Sequence, residues 1–176
     1  MATWTIDPSH SEVQFKVKHL MISTVTGDFS TYEGTIETTQ EDSFEGAIAT
    51  FSADIDSIST GNEQRDGHLK SGDFFDAETH PKLTFVSTSF VQKSDSTFEV
   101  SGDLTLRGTT LPVTLQAEYG GQMGDFYGNT KAGFELSGKI SRKAFGLSWD
   151  AVTEAGGVVV SDEVKLILNI QVSKNA

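Results

Sequence analysis

The chain has 176 residues, enough to bury a substantial core, and is expected to form one domain over residues 1–176. Its 25 acidic side chains outnumber 13 basic ones, for a formal net charge of −12. That balance argues against a nucleic-acid partner and against attachment to anionic lipid by charge, while it favours solubility. No cysteine is present, so disulfides, thiolate metal sites and cysteine catalysis are excluded.

Met1 to Asp7 already reads as strand, with no basic start, apolar run or cleavage site, so no secretory leader is expected. No window approaches the ~18 apolar residues of a membrane span, and stable membrane insertion is not expected. His10 and Ser11 are neighbours whose side chains a strand would point apart. From Glu12 the alternation is clean: Val13, Phe15, Val17 and His19 share one face, while Glu12, Gln14, Lys16 and Lys18 share the other. Leu20-Met21-Ile22 interrupts it. A second run covers Val25 to Thr38, with Gly27 and Gly34 expected at bends or bulges, and Gln40–Ser43 reads as a polar turn. In the third run, Glu45 to Ile58, Ala47, Ala49, Phe51, Ala53 and Ile55 share a face whose alanines leave space.

Further strands are expected at Lys82–Val91 and Thr97–Leu106, the latter with Val100, Leu104 and Leu106 on its apolar face. Arg107–Thr110 is a tight hairpin turn. The return strand carries Leu111, Val113, Leu115, Ala117 and Tyr119, and its Pro112 requires an unpaired edge site or a bulge because it has no amide hydrogen. A glycine-rich loop (Gly120, Gly121, Gly124, Gly128) leads to Thr130–Ile140, with Ala132, Phe134 and Leu136 inward. Ser141 to Gly157 lacks a period and carries Phe145, Leu147 and Trp149. The last strand sets Val164, Leu166, Leu168, Ile170 and Val172 against polar neighbours.

About eight long strands, nearly all with one apolar face and joined by short turns, predict an all-β fold with antiparallel pairing. Closure into an eight-stranded barrel hides the apolar face and is favoured over a two-sheet sandwich. One stretch departs from the pattern, Gly61 to Phe85. Asn62 is the expected N-cap of a short helix over Glu63–Ser71, ending near Gly72. That helix would deliver Phe74 and Phe75 over one end of the barrel as a stopper or a lid.

No G-x-S-x-G elbow, H-E-x-x-H or phosphate-binding loop occurs. His68 and His80 lie near Asp66, Asp73 and Asp76, but their spacing matches no ligand pattern, so no metal site is expected. His19 reads either as a satisfied core histidine or as a polar contact for the head of a ligand. Arg142 is expected to hold the loop carrying Phe145 through a carboxylate. A ligand in a hollow barrel would meet Phe15, Val17, His19, Phe29, Phe51, Phe74, Phe75, Phe85, Leu104, Leu106, Phe134, Leu136, Phe145 and Trp149. Periodicity alone leaves open whether these side chains surround a ligand or fill a solid core. A small-molecule enzyme using His19, Arg142 or the His68/His80 pair is the other reading. Ile48, Val86 and Val91 on outward faces would suit a homodimer.

Six segments in order carry a more specific signal: WTIDPSHSEVQFKVKHL at Trp4–Leu20, VTGDF at Val25–Phe29, DGHLKSGDFFDAETHPKLTF at Asp66–Phe85, VSGDLTLRGTT at Val100–Thr110, AGFELSGKISRKAFGLSW at Ala132–Trp149 and VSDEVKLILNI at Val160–Ile170. In these the chain resembles the YceI-like family of lipocalin-like polyisoprenoid-binding proteins. The resemblance implies an elongated antiparallel barrel whose tunnel holds a linear isoprenoid chain, often with a quinone-like or other small polar head. It implies carriage or storage of that lipid, no catalysis and no cofactor beyond it. Many members of the family are secreted to the periplasm. The leader they carry is not visible here, so the expected compartment is the cytoplasm, or the periplasm where a leader has been removed.

Overall fold

The structure, a computed structural model, describes residues 2–20, 22–40, 43–149 and 160–175. Period-two alternation yields strands that pair antiparallel throughout, β1 (Ala2–Ile6), β2 (Glu12–His19), β3 (Ser23–Phe29), β4 (Tyr32–Thr38), β5 (Ile48–Asp54), β6 (Ile58–Ser59), β7 (Lys82–Gln92), β8 (Thr97–Leu106), β9 (Thr109–Gly124), β10 (Thr130–Ser141) and β11 (Val160–Lys174). These segments make eight staves, because β1 continues into β2, β3 into β4 and β5 into β6 across short breaks. The last stave pairs back onto the first, with Leu166 opposite Phe15 in β2 and Val172 opposite Ile6 in β1. The sheet is therefore a closed eight-stranded antiparallel barrel with one short helix.

Each break has a local cause. Between β1 and β2, Pro8–His10 form a 3-10 turn in which the Asp7 carboxylate accepts the Ser9 amide (3.1 Å) and the Ser9 hydroxyl (2.7 Å). His10 and Ser11 therefore lie in a turn and its C-cap rather than in a strand, set there by proline's fixed φ and an Asx cap. The two-residue turn joining β8 to β9 has positive φ at both Arg107 (49°) and Gly108 (74°), the backbone that matches the twist of a tight hairpin. Pro112 pairs with Asp103 of β8 but lies beyond the part of β9 paired to β10, as its missing donor demands.

Two glycine expectations are corrected. Gly27 is in regular register opposite Phe15, and a Cβ there would lie 2.2 Å from the Phe15 ring. Gly34 likewise sits under Ile6, so both glycines admit side chains crossing from the neighbouring strand rather than making bulges. The glycine-rich stretch after Tyr119 is mostly strand, because β9 continues to Gly124 and the turn is Asp125–Asn129. A register shift at Gly133/Phe134, opposite Gly121 with φ of 100°, marks the bulge there. Val91 is half-buried, while Ile48 and Val86 are exposed; the most exposed large apolar groups among the described residues are instead Phe126 and Tyr127 at the β9–β10 tip, followed by Ile22 and Met123. Glu41, Asp42 and residues 150–157, which belong to the expected polar turn and irregular segment, lie outside the described residues.

The ends of the barrel differ. At the end holding β1 and the β7–β8 turn, Trp4, Phe44, Phe90, Phe98, Tyr119 and Phe134 are packed ring to ring. Phe44 is central, with centroids 5.1 Å from Trp4, 5.5 Å from Tyr119 and 5.0 Å from Phe134. Such pairs add ~0.5–1.5 kcal/mol each beyond the area they bury. Burial also pushes the Tyr119 phenol above its ordinary pKa, against the hydrogen bond from Gln122. The Trp4 Nε1 hydrogen is buried without an acceptor among the described residues, a cost this cluster carries.

At the other end lies α1 (Glu63–Lys70), one residue shorter than expected. Its N-cap is Asn62, whose Oδ1 accepts the Arg65 amide at 3.0 Å. The helix and the loop to Pro81 cover that mouth. Phe74 is buried there and Phe75 half-buried.

Candidate functional site

Inside the barrel is a cavity of about 210 Å³ whose wall is almost wholly hydrocarbon. Alternation aims one face of every stave into it, so the site is built by the same periodicity that closes the sheet. Of the predicted ligand contacts, Phe15, Val17, Phe29, Phe51, Phe74, Phe75, Phe85, Leu104, Leu106, Phe134 and Leu136 line the cavity. His19 and Trp149 line a second cleft of about 370 Å³ at the mouth. Phe145 does neither. It is buried in the 3-10 turn Lys143–Phe145 and packs into the surrounding core. The reading of Phe145 as a contact is thus corrected, because a segment without a period gives no face to assign.

Cavity and cleft adjoin, and Phe15, Val17, Leu69, Phe74 and Val160 border both. Sequence reasoning missed Leu69, which α1 contributes, and Ile6, Leu83, Phe90 and Val113, all inward on strands. For the strand residues the signal was present in the alternation. The cavity runs from this mouth down to Phe90 and Phe134, which belong to the aromatic cluster that closes the opposite end.

Bonds to main-chain carbonyls help to hold the cover over the mouth. Arg107, in the β8–β9 turn, donates from Nη1 to the Phe74 carbonyl at 2.7 Å. The Phe75 amide donates to the Leu69 carbonyl (3.0 Å) and the Ala77 amide to the Lys70 carbonyl (2.8 Å), folding the loop back on α1. The His80 ring lies on Gly108, where a Cβ would be 2.9 Å from it. His68 and His80 therefore do not act together: the His68 Nε2 meets Asp73 Oδ2 at 2.9 Å, and its ring sits edge-on to Phe74 (5.0 Å) and Trp149 (4.8 Å). Among the described residues no group of three or more His, Asp or Glu is placed to hold a metal ion.

Arg142 is buried at one edge of the cavity. It donates to the carbonyls of Leu147, Trp149, Ser161 and Val160 at 2.7–3.0 Å. It holds the segment carrying Phe145 through the main-chain oxygens of Leu147 and Trp149. Five planar donors suit carbonyls converging from two chain segments. The nearby Asp162 carboxyl is held below its ordinary value: burial opposes this, but the Ser141 hydroxyl, the Lys143 amide and the Arg142 charge outweigh it.

The barrel thus has an apolar bore, one plugged end and one covered mouth. The whole chain from residue 4 to 172 matches the YceI-like domain. The chain belongs to the YceI-like family. It is 38% identical over 166 residues to a UPF0312 protein of Staphylococcus aureus, covering 94% of each chain. The YCEI protein of Campylobacter jejuni superposes with a TM-score of 0.76 at 30% identity, covering 90% of each chain. A polyisoprenoid binding domain from Saccharophagus degradans shares the fold at a TM-score of 0.65 and 18% identity, over 96% of this chain and 97% of that one.

Proposed function

We propose that this protein binds a linear polyisoprenoid chain in the barrel cavity and serves as a carrier or store for it rather than as an enzyme. The observation that supports the reading best is the cavity itself, a continuous hydrocarbon bore lined by Phe15, Phe29, Phe51, Phe85, Phe134 and branched aliphatics. A prenyl tail offers only apolar surface, so its affinity grows by ~0.8 kcal/mol per buried CH2-sized group and needs no polar partner. Several isoprene units reach micromolar binding after the costs of ordering the chain. A polyisoprenoid binding domain among the proteins of the same fold agrees with this ligand class.

Organic extraction of the purified protein followed by mass spectrometry tests the reading, and a prenyl lipid in the extract is the expected result. A protein that yields none and takes up no labelled prenyl quinone or prenyl alcohol overturns it. Phe74→Ala and Phe75→Ala are expected to speed release of a loaded prenyl lipid, whereas Glu37→Ala, an exposed change on β4, leaves release unaltered.

A further inference from the structure

The cleft at the mouth differs in chemistry from the bore it adjoins. Lys18, His19, Arg65 and His68 line it, and no Asp or Glu among the described residues does. In a chain with about two carboxylates for every cation, a cleft walled this way is an uneven use of charge. The carboxylates close by are turned to other tasks. Asp66 accepts the Thr60 amide (2.9 Å) and hydroxyl (2.5 Å), and Asp73 meets the outer nitrogen of His68.

Arg65 is held ready by its neighbours. Its Nε donates to the Thr60 hydroxyl at 2.8 Å and its Nη2 to the Thr60 carbonyl at 2.7 Å. Among the described residues Nη1 has no acceptor, and neither does the Lys18 ammonium. A guanidinium fixed along one edge with free N–H groups on the other presents a fork suited to an oxyanion.

Resting on the proposed lipid reading, we infer that the bound lipid carries an anionic head, a phosphate or carboxylate, held at this mouth by Lys18 and Arg65 with His19 and His68 beside them. The tail then lies in the bore and points toward the aromatic plug. A neutral alcohol or quinone head leaves these cations hydrated and gains little, so the cleft selects among lipids that share one tail.

Binding of farnesyl phosphate, farnesoic acid and farnesol to the intact protein tests this, since the three share a tail and differ only in the head. The expected result is at least tenfold tighter binding of one or both anions than of farnesol, with the difference shrinking as salt rises. The anion-to-alcohol affinity ratio is expected to fall at least fivefold in Lys18→Gln and further in Lys18→Gln/Arg65→Gln. Lys93→Gln, in the turn at the far end, leaves the ratio unchanged. Because Arg65 also supports Thr60, the single Lys18→Gln variant decides the matter if the double variant does not fold. Phosphate over carboxylate, or the reverse, tells which oxyanion the cleft fits. Equal affinity for all three ligands, or a ratio indifferent to Lys18→Gln, overturns the inference while leaving the lipid reading intact. Failure of all three to bind counts against the lipid reading itself.

Discussion

At the plugged end of the barrel the bore is stopped by six aromatic rings whose neighbours are other side chains of the core. At the mouth the cover is folded on itself by bonds to the Leu69 and Lys70 carbonyls, and it is attached by one arginine reaching from a hairpin turn to the Phe74 carbonyl and by single ring contacts such as Phe75 on Phe29 and Phe74 on Trp149. Packing of the first kind is close to all-or-none, because removing a ring leaves a hole that its neighbours cannot fill. Hydrogen bonds of the second kind are individually worth little net and can be exchanged for water one at a time. The two ends are therefore closed by different kinds of contact, rings packed on rings at one and hydrogen bonds with fewer ring contacts at the other.

Substitutions can break or sharpen this contrast. The largest effect is expected for Phe134→Ala, which removes a ring shared by the plug and the cavity floor. It should cost about 3–5 kcal/mol in urea unfolding. A loss below about 1 kcal/mol would remove the plug from any structural role. Next comes Arg142→Met, which strands the carbonyls that this buried guanidinium satisfies. A loss of about 3 kcal/mol is expected, with a change in the fluorescence of Trp149, whose carbonyl it anchors.

Arg107→Met should be milder, about 1.5 kcal/mol for one charge-assisted bond. Its sharper readout is hydrogen exchange: the Phe75 and Ala77 amides should exchange faster, while those in the plug strands should not. Exchange rising equally at both ends would mean that the cover is not a separate unit.

The smallest effect is expected from Asp162→Asn. The folded carboxyl titrates below its unfolded value near 3.9, so the stability it supplies is present above that pH and is lost as pH falls through the depressed folded value. Because the group is largely exposed, screening keeps the difference under about 1 kcal/mol. Melting temperatures of the two proteins should differ at pH 7 and converge in acid, and a gap that widens in acid would reverse the assignment.

How far this contrast could be read from the residues depends on the kind of closure. The staves were legible because a strand with one wet face writes its geometry as alternation, and Phe15, Phe51, Phe85, Leu104 and Phe134 point where that alternation places them. The helix of the cover was legible to within a residue because Asn62 caps it. Phe44 was not, since it stands in a short segment without a period, and only the fold brings Trp4, Tyr119 and Phe134 around it. Arg107 reads along the chain only as part of a hairpin turn, and nothing there says that a carbonyl 33 positions earlier lies under its guanidinium. Phe145 was misplaced for the same reason as Phe44, and Gly27 because a glycine needed for a kink and one needed for a neighbour's ring look alike in a list of residues.

The floor formed by Phe90 and Phe134 has one more consequence. If the bore takes a prenyl tail as proposed, its fixed depth would make it a ruler. A tail too short would leave the lowest rings facing empty space, while one too long would project its excess past Phe74 into water, so occupancy would report the number of carbons between the mouth and those two rings.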